Sequence, residues 1–151
     1  MLPRNGRLYC GVMDARCYAP WLGALTALFA VRVIAQPLAR VLDVPWLPRF
    51  ERWHSGALPY GALLAAQILI LVAQVRTTLA FSRGAVSPNP RLGRGLLVAG
   101  VLYLASMVAR LILGLTVLRG HRWFDVPLPT LFHFVLAAFV ILVGLFHARR
   151  R

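Results

Sequence analysis

Three residues in the stretch 28-LFAVRVIAQPLAR-40 could do chemistry that their neighbours could not: Arg32, Gln36 and Arg40 recur at steps of four inside an otherwise apolar run. At roughly 100° per residue they fall within about 80° of helix surface, so they form one polar stripe, with Pro37 beside it free to bend the helix. The other apolar runs of the chain carry similar features. Gln67 and Gln74 lie seven apart in the second, Tyr103, Ser106 and Arg110 follow at helical spacing in the third, and His133 and His147 stand fourteen apart in the fourth.

A guanidinium at the centre of a membrane helix costs roughly 2.5 to 3.5 kcal/mol on insertion scales, which turns such a residue toward a partner or a wet cavity. No Asp or Glu occurs within any of the four runs, so the membrane interior of the chain supplies no counter-ion for Arg32 or Arg110. Counted from the outer end of each run, Arg32, Gln67, Arg110 and His133 share a depth of roughly 9 to 15 Å. These observations predict an outer-half cationic pocket built from Arg32, Gln36, Gln67, Ser106, Arg110 and His133. Its guest would be an anion from outside the chain: a lipid head group or lipid-linked phosphate, a cofactor carboxylate, or an acidic residue of a partner subunit. Guanidinium forks suit carboxylate and phosphate bidentately. The plainer alternative is that helix carbonyls, Gln67, Gln74 and Ser106 satisfy the guanidiniums, or that the long stems snorkel outward. It fits Arg40 and Arg119, near the interface, best.

The histidines raise b-type haem as a second possibility, because neutral imidazole is a common axial ligand and a four-helix membrane bundle a common container. The spacing of His133 and His147 resembles that of haem sites stacked across a membrane, but His147 has no inner-side histidine to pair with. An outer-side pair would join His133 to His54 or His121, with Arg32 and Arg110 on the propionates. A zinc or copper site from His54, Glu51, His121, Asp125 and His133 is conceivable by ligand type, without a recognised spacing. A third possibility is an enzyme acting on lipid-linked or quinone substrates, with His133 as acid or base. No catalytic motif is present: there is no Gly-rich phosphate loop, no H-E-x-x-H, no Ser-x-x-Lys and no carboxylate within a run.

The elements that must position these residues follow from composition. A chain of 151 residues that is 60% hydrophobic, with a mean hydropathy of +0.72, is too apolar for a soluble core of that size. Runs at about 21–41, 58–81, 96–118 and 126–146 each approach the roughly 20 residues needed to cross hydrocarbon as a helix. The expected fold is all-α, a four-transmembrane-helix antiparallel bundle forming one domain over residues 1–151. The first and third runs both carry a mid-span Arg, and the second and fourth both open with Leu-Pro and contain Ala-Ala. The four runs therefore read as two pseudo-repeated helical hairpins in the same orientation.

The net charge of +13 would suggest nucleic acid in a soluble protein, but every basic residue here is Arg and most flank the runs. Flanking charge is a topology signal. With the N-terminus inside, the inner face collects Arg4, Arg7, Arg16, Arg76, Arg83, Arg91, Arg94 and the terminal Arg149 to Arg151, which places both the N-tail 1–20 and the C-tail 147–151 in the cytoplasm. Tyr18 and Trp21 on that side, and Trp46, Trp53, Tyr60 and Trp123 on the other, fit aromatic belts. Absence of Lys alongside heavy use of Ala, Arg, Leu and Val is associated with GC-rich coding and points to a bacterial inner membrane. The first run lacks a small-residue cleavage site and reads as retained rather than as a signal peptide. Met13 offers an alternative start to Met1. Cys10 and Cys17 would both lie in the reducing compartment, where a disulfide is not expected. Four spans bury little interior, so partners beyond the surrounding membrane lipids are expected: a homo-oligomer or a larger membrane complex, and no nucleic acid.

Overall fold

A computed structural model of the chain describes residues 14–41, 59–117 and 127–149. Within them run four helices, α1 (Ala19–Val41), α2 (Tyr60–Ser82), α3 (Pro90–Leu115) and α4 (Pro127–Ala148), with a 3-10 turn at Ala15–Cys17 ahead of α1 and no strand among the described residues. Each helix is long and apolar enough to cross a membrane. The chain is thus the all-helical, multi-pass bundle that its hydropathy predicts. Trp46, Trp53 and Trp123, expected in the outer aromatic belt, lie outside the described residues.

Two boundaries differ from the sequence reading. α3 begins at Pro90 rather than near residue 96, because Asn89 is its N-cap: the Asn89 side-chain oxygen accepts from the backbone N–H groups of Arg91 and Leu92 at 3.1 and 3.3 Å. Pro90 fills the first helical position, where a missing N–H removes nothing and a fixed φ suits the turn. The Asn-Pro pair inside SPNPRLGRG is therefore a start signal as well as punctuation. At the other end of the chain, α4 runs on through Ala148 and draws His147 out of the expected tail. α2 closes as helices commonly do, with Gly84 in the left-handed region at φ 68°. There the N–H of Gly84 donates to the Phe81 carbonyl and that of Ala85 to the Ala80 carbonyl, each at 3.0 Å, a pairing that left-handed glycine makes accessible.

Cys17 departs from expectation in another way: it is disulfide-bonded. The sequence holds one other cysteine, Cys10, which lies outside the described residues. The expectation of a reduced thiol rested on compartment alone.

The helices pack in the order α2, α1, α4, α3, with α1 against both α2 and α4, and α3 against α4; α2 and α3 lack a comparable mutual interface. The two central helices consequently bury far more of their surface than the outer pair. Leu69, Leu79, Val98 and Leu102 on α2 and α3 are exposed, as suits side chains solvated by lipid tails rather than by water. The α1–α2 and α3–α4 pairs are the two hairpins, and the α1–α4 seam joins them.

Small residues set the closest approach. A methyl group added at Gly93 would stand 2.2 Å from the Ala148 backbone nitrogen, and one added at Gly100 would stand 2.7 Å from Ile141 Cγ1. A methyl added at Gly144 would stand 3.0 Å from the Leu97 backbone nitrogen in the same seam. These three contacts fix α3 and α4 as antiparallel neighbours at backbone-to-backbone range, the packing mode favoured where hydrocarbon provides no hydrophobic drive. At the end carrying both termini, Phe81, Phe146 and Tyr18 form an aromatic knot, with ring centroids 4.8 Å apart for Phe81–Phe146 and 5.5 Å for Tyr18–Phe146. Leu22, Phe139 and Val143 complete it.

Candidate functional site

Arg32 is the centre of the site. It stands on α1, only 5% exposed, with its guanidinium carbon 5.0 Å from the centroid of the Phe132 ring on α4. A cation over a ring face is attracted by the ring quadrupole, by about 2 kcal/mol where water is excluded. That contact places the charge against the ring without using an N–H donor in a hydrogen bond. The Nη1 atom is buried and has no hydrogen-bond partner.

Across α3 and α4, Tyr103 Oη and His133 Nδ1 share a hydrogen bond of 2.5 Å, their rings perpendicular at 5.9 Å between centroids. Arg32 and Arg110 are both electrostatic neighbours of Tyr103 and of His133. Two cations from different hairpins therefore act on one hydrogen-bonded pair. In helix positions Arg32, Arg110 and His133 sit roughly 8 to 14 Å from the ends of α1, α3 and α4 that lie away from the termini, and Tyr103 about 18 Å from that end of α3. The only acidic side chain among the described residues is Asp14, which caps the Ala15–Cys17 turn through a 2.9 Å hydrogen bond from the Arg16 backbone N–H.

Of the six residues expected in the pocket, Arg32, Arg110 and His133 meet in this cluster. Gln36, wholly buried, and Gln67, 5% exposed, line the seam between α1 and α2. The register there is fixed at two points: Thr26 Oγ1 lies 3.2 Å from Thr78 Oγ1, and the Arg40 guanidinium lies 4.5 Å over the Tyr60 ring. Antiparallel helices pinned at those points bring Gln36 level with Gln67. Arg40 thus belongs to the far end of that seam rather than to the cluster. Ser106 is set apart from the rest, being exposed and donating its hydroxyl to the Tyr103 carbonyl at 2.7 Å on its own helix.

Tyr103 is the member that the sequence reading left out of the pocket. Tyr103 and Ser106 fall on either side of the line through Arg110, about 60° apart, and packing against α4 takes the Tyr103 side. The usable signal was its spacing of seven from Arg110, which keeps both on nearly the same line.

His147 has a separate role. Its Nδ1 accepts a 3.2 Å hydrogen bond from the backbone N–H of Asn89, so the ring proton of the neutral imidazole stays on Nε2. This histidine fastens the start of α3 to the end of α4, and the interval of fourteen from His133 acquires a structural use at one of its ends. Among the described residues no three His, Cys, Asp or Glu side chains gather as a metal site; His54, His121, Glu51 and Asp125 lie outside them.

No protein family, curated protein or solved structure matches this chain.

Proposed function

We propose that this chain is a small accessory or binding protein of a bacterial inner membrane, whose cationic cluster holds an anionic group supplied from outside the chain. One observation carries the reading: Arg32 is buried and its Nη1 has no hydrogen-bond partner, in a bundle whose four helices contain no carboxylate. An uncompensated buried charge is strongly unfavourable, whereas the same charge meeting a carboxylate or phosphate through a guanidinium fork is satisfied in geometry and in sign. Arg110 adds a second cation from the other hairpin. The Tyr103–His133 pair can offer an O–H or N–H donor to the same anion, which makes the cluster a clamp with contacts from three helices. A lipid head group, a cofactor carboxylate and an acidic residue of a partner subunit share this chemistry, and a homo-oligomer or larger membrane complex would supply the last.

The test is substitution. Arg32→Leu and Arg110→Leu are expected to abolish co-purification of the anionic lipid or partner, measured by mass spectrometry of gently solubilised protein, while membrane insertion stays intact. Normal recovery in both variants would sink the proposal. The orientation proposed with it puts both termini in the cytoplasm, as the flanking Arg residues favour. A C-terminal reporter that is active only in the cytoplasm is expected to be active, and an inactive one overturns that orientation. Haem ligation by His133 with His54 or His121 is the rival reading, and spectroscopy separates it. If the guest is a simple anion, the purified protein shows no Soret band even after expression with ample haem.

A further inference from the structure

The α1–α2 seam beside Arg32 contains amide groups whose hydrogen-bonding capacity is unused. Gln36 has no exposed surface, and neither its Oε1 nor its Nε2 has a hydrogen-bond partner. Gln67, level with it on α2, is nine-tenths buried or more, and its Oε1 is likewise without a partner. Gln36 follows Arg32 by one helical turn, so the two side chains share one stripe of α1.

The chemistry of the unpaired atoms narrows the guest. Arg32 offers donors only, which suits an anion. The two carbonyl oxygens of Gln36 and Gln67 are acceptors, so a bare phosphate, a carboxylate or a quinone carbonyl leaves them unsatisfied. A group that answers them must carry hydrogen donors beside its negative charge. An ammonium donor, as in an ethanolamine head group, would meet repulsion from Arg32 and Arg110. Hydroxyls have no such conflict, and each can donate to an amide oxygen while accepting from an amide N–H.

Resting on the anion-site proposal above, we infer that the guest is a hydroxyl-bearing phosphate ester, its phosphate on Arg32 and Arg110 and its hydroxyls on Gln36 and Gln67. A polyol phosphate head group of a membrane lipid and a free polyol phosphate share this chemistry.

The experiment uses the full-length protein in phosphatidylcholine vesicles doped with either phosphatidylglycerol or phosphatidylethanol. Both are phosphodiesters of the same charge, and only the first has head-group hydroxyls. Phosphatidylglycerol is expected to bind about tenfold more tightly, the scale of one hydrogen bond to an otherwise orphaned buried acceptor. Gln36→Leu is expected to erase that preference, the two lipids then binding alike, and Arg32→Leu to weaken both lipids together. Equal affinity of the unmodified protein for the two lipids overturns the hydroxyl inference and spares the anion site. Binding of neither overturns both. Competition by glycerol 1-phosphate supports the same recognition with a soluble guest, and its failure while phosphatidylglycerol binds supports a lipid one.

Discussion

Replacing Gly93 by Ala is expected to lower the thermal midpoint of the detergent-solubilised protein by about 10 °C, the effect of a loss of roughly 3 kcal/mol in a chain of this size. The reason is the nature of the obstacle. The new methyl would meet the Ala148 nitrogen at 2.2 Å, the His147 carbonyl carbon at 2.5 Å and the Ala148 Cα at 2.6 Å, all main-chain atoms. A side chain could swing away, but a helix backbone has to move as a whole. Moving it would also pull on the hydrogen bond from the Asn89 N–H to His147, which sits beside the same contact. Gly95, two residues on, has nothing within 4 Å of an added methyl. Gly95→Ala is therefore expected to be neutral or stabilising by about 0.5 to 1 kcal/mol, through helix propensity alone. Equal midpoints for the two variants would show that α3 and α4 are not in backbone contact.

The second large effect concerns Arg32. Its replacement by Leu is expected to weaken binding of an anionic guest by about 100-fold, or roughly 2.7 kcal/mol, the range found when one partner of a desolvated charge pair is removed. Stability without guest should move the other way, since a buried cation with an unpaired Nη1 gives place to an alkyl chain suited to its surroundings. The two observables thus diverge. A purely structural arginine would lose stability and leave guest recovery unchanged. Arg32→Lys sharpens the result: it keeps the charge but loses the planar fork and the guanidinium's placement over Phe132. If both features matter, Lys restores only a small part of the affinity. Lipid recovery and thermal midpoints measured on the same preparations read both predictions.

Helix number and helix type were legible from hydropathy alone, because about 20 apolar residues in hydrocarbon have few ways to satisfy their backbone other than a helix. Which residues face inward was legible only in part. Arg32, Gln36 and Gln67 were found through the high cost of leaving polar groups in lipid. Ser106 was expected in the pocket and stands apart from the cluster, because a small hydroxyl satisfied by its own helix can face lipid cheaply, while the Tyr103 phenol reaches across the seam to His133. The N-cap of α3 and the use of His147 escaped for different reasons. The cap is local, an Asn-Pro pair whose side chain accepts from the next turn and which hydropathy does not register, whereas the use of His147 depends on a pairing across 58 residues of chain that no local spacing encodes. The neighbour order of the helices, with α1 and α4 central, was equally invisible in the one-dimensional pattern.

That neighbour order bears on how the two halves of the molecule hold together. With α2 and α3 at opposite flanks, the hairpins adhere mainly along α1 and α4, and Arg32 and Arg110 stand on either side of that joint. An anion gripped by both would act as mortar between the halves. Because a ligand bound only by the assembled form adds RT ln(1 + [L]/Kd) to its cohesion, scarcity of the guest would loosen the joint and abundance would tighten it. Occupancy and mechanical integrity would then rise and fall as one quantity.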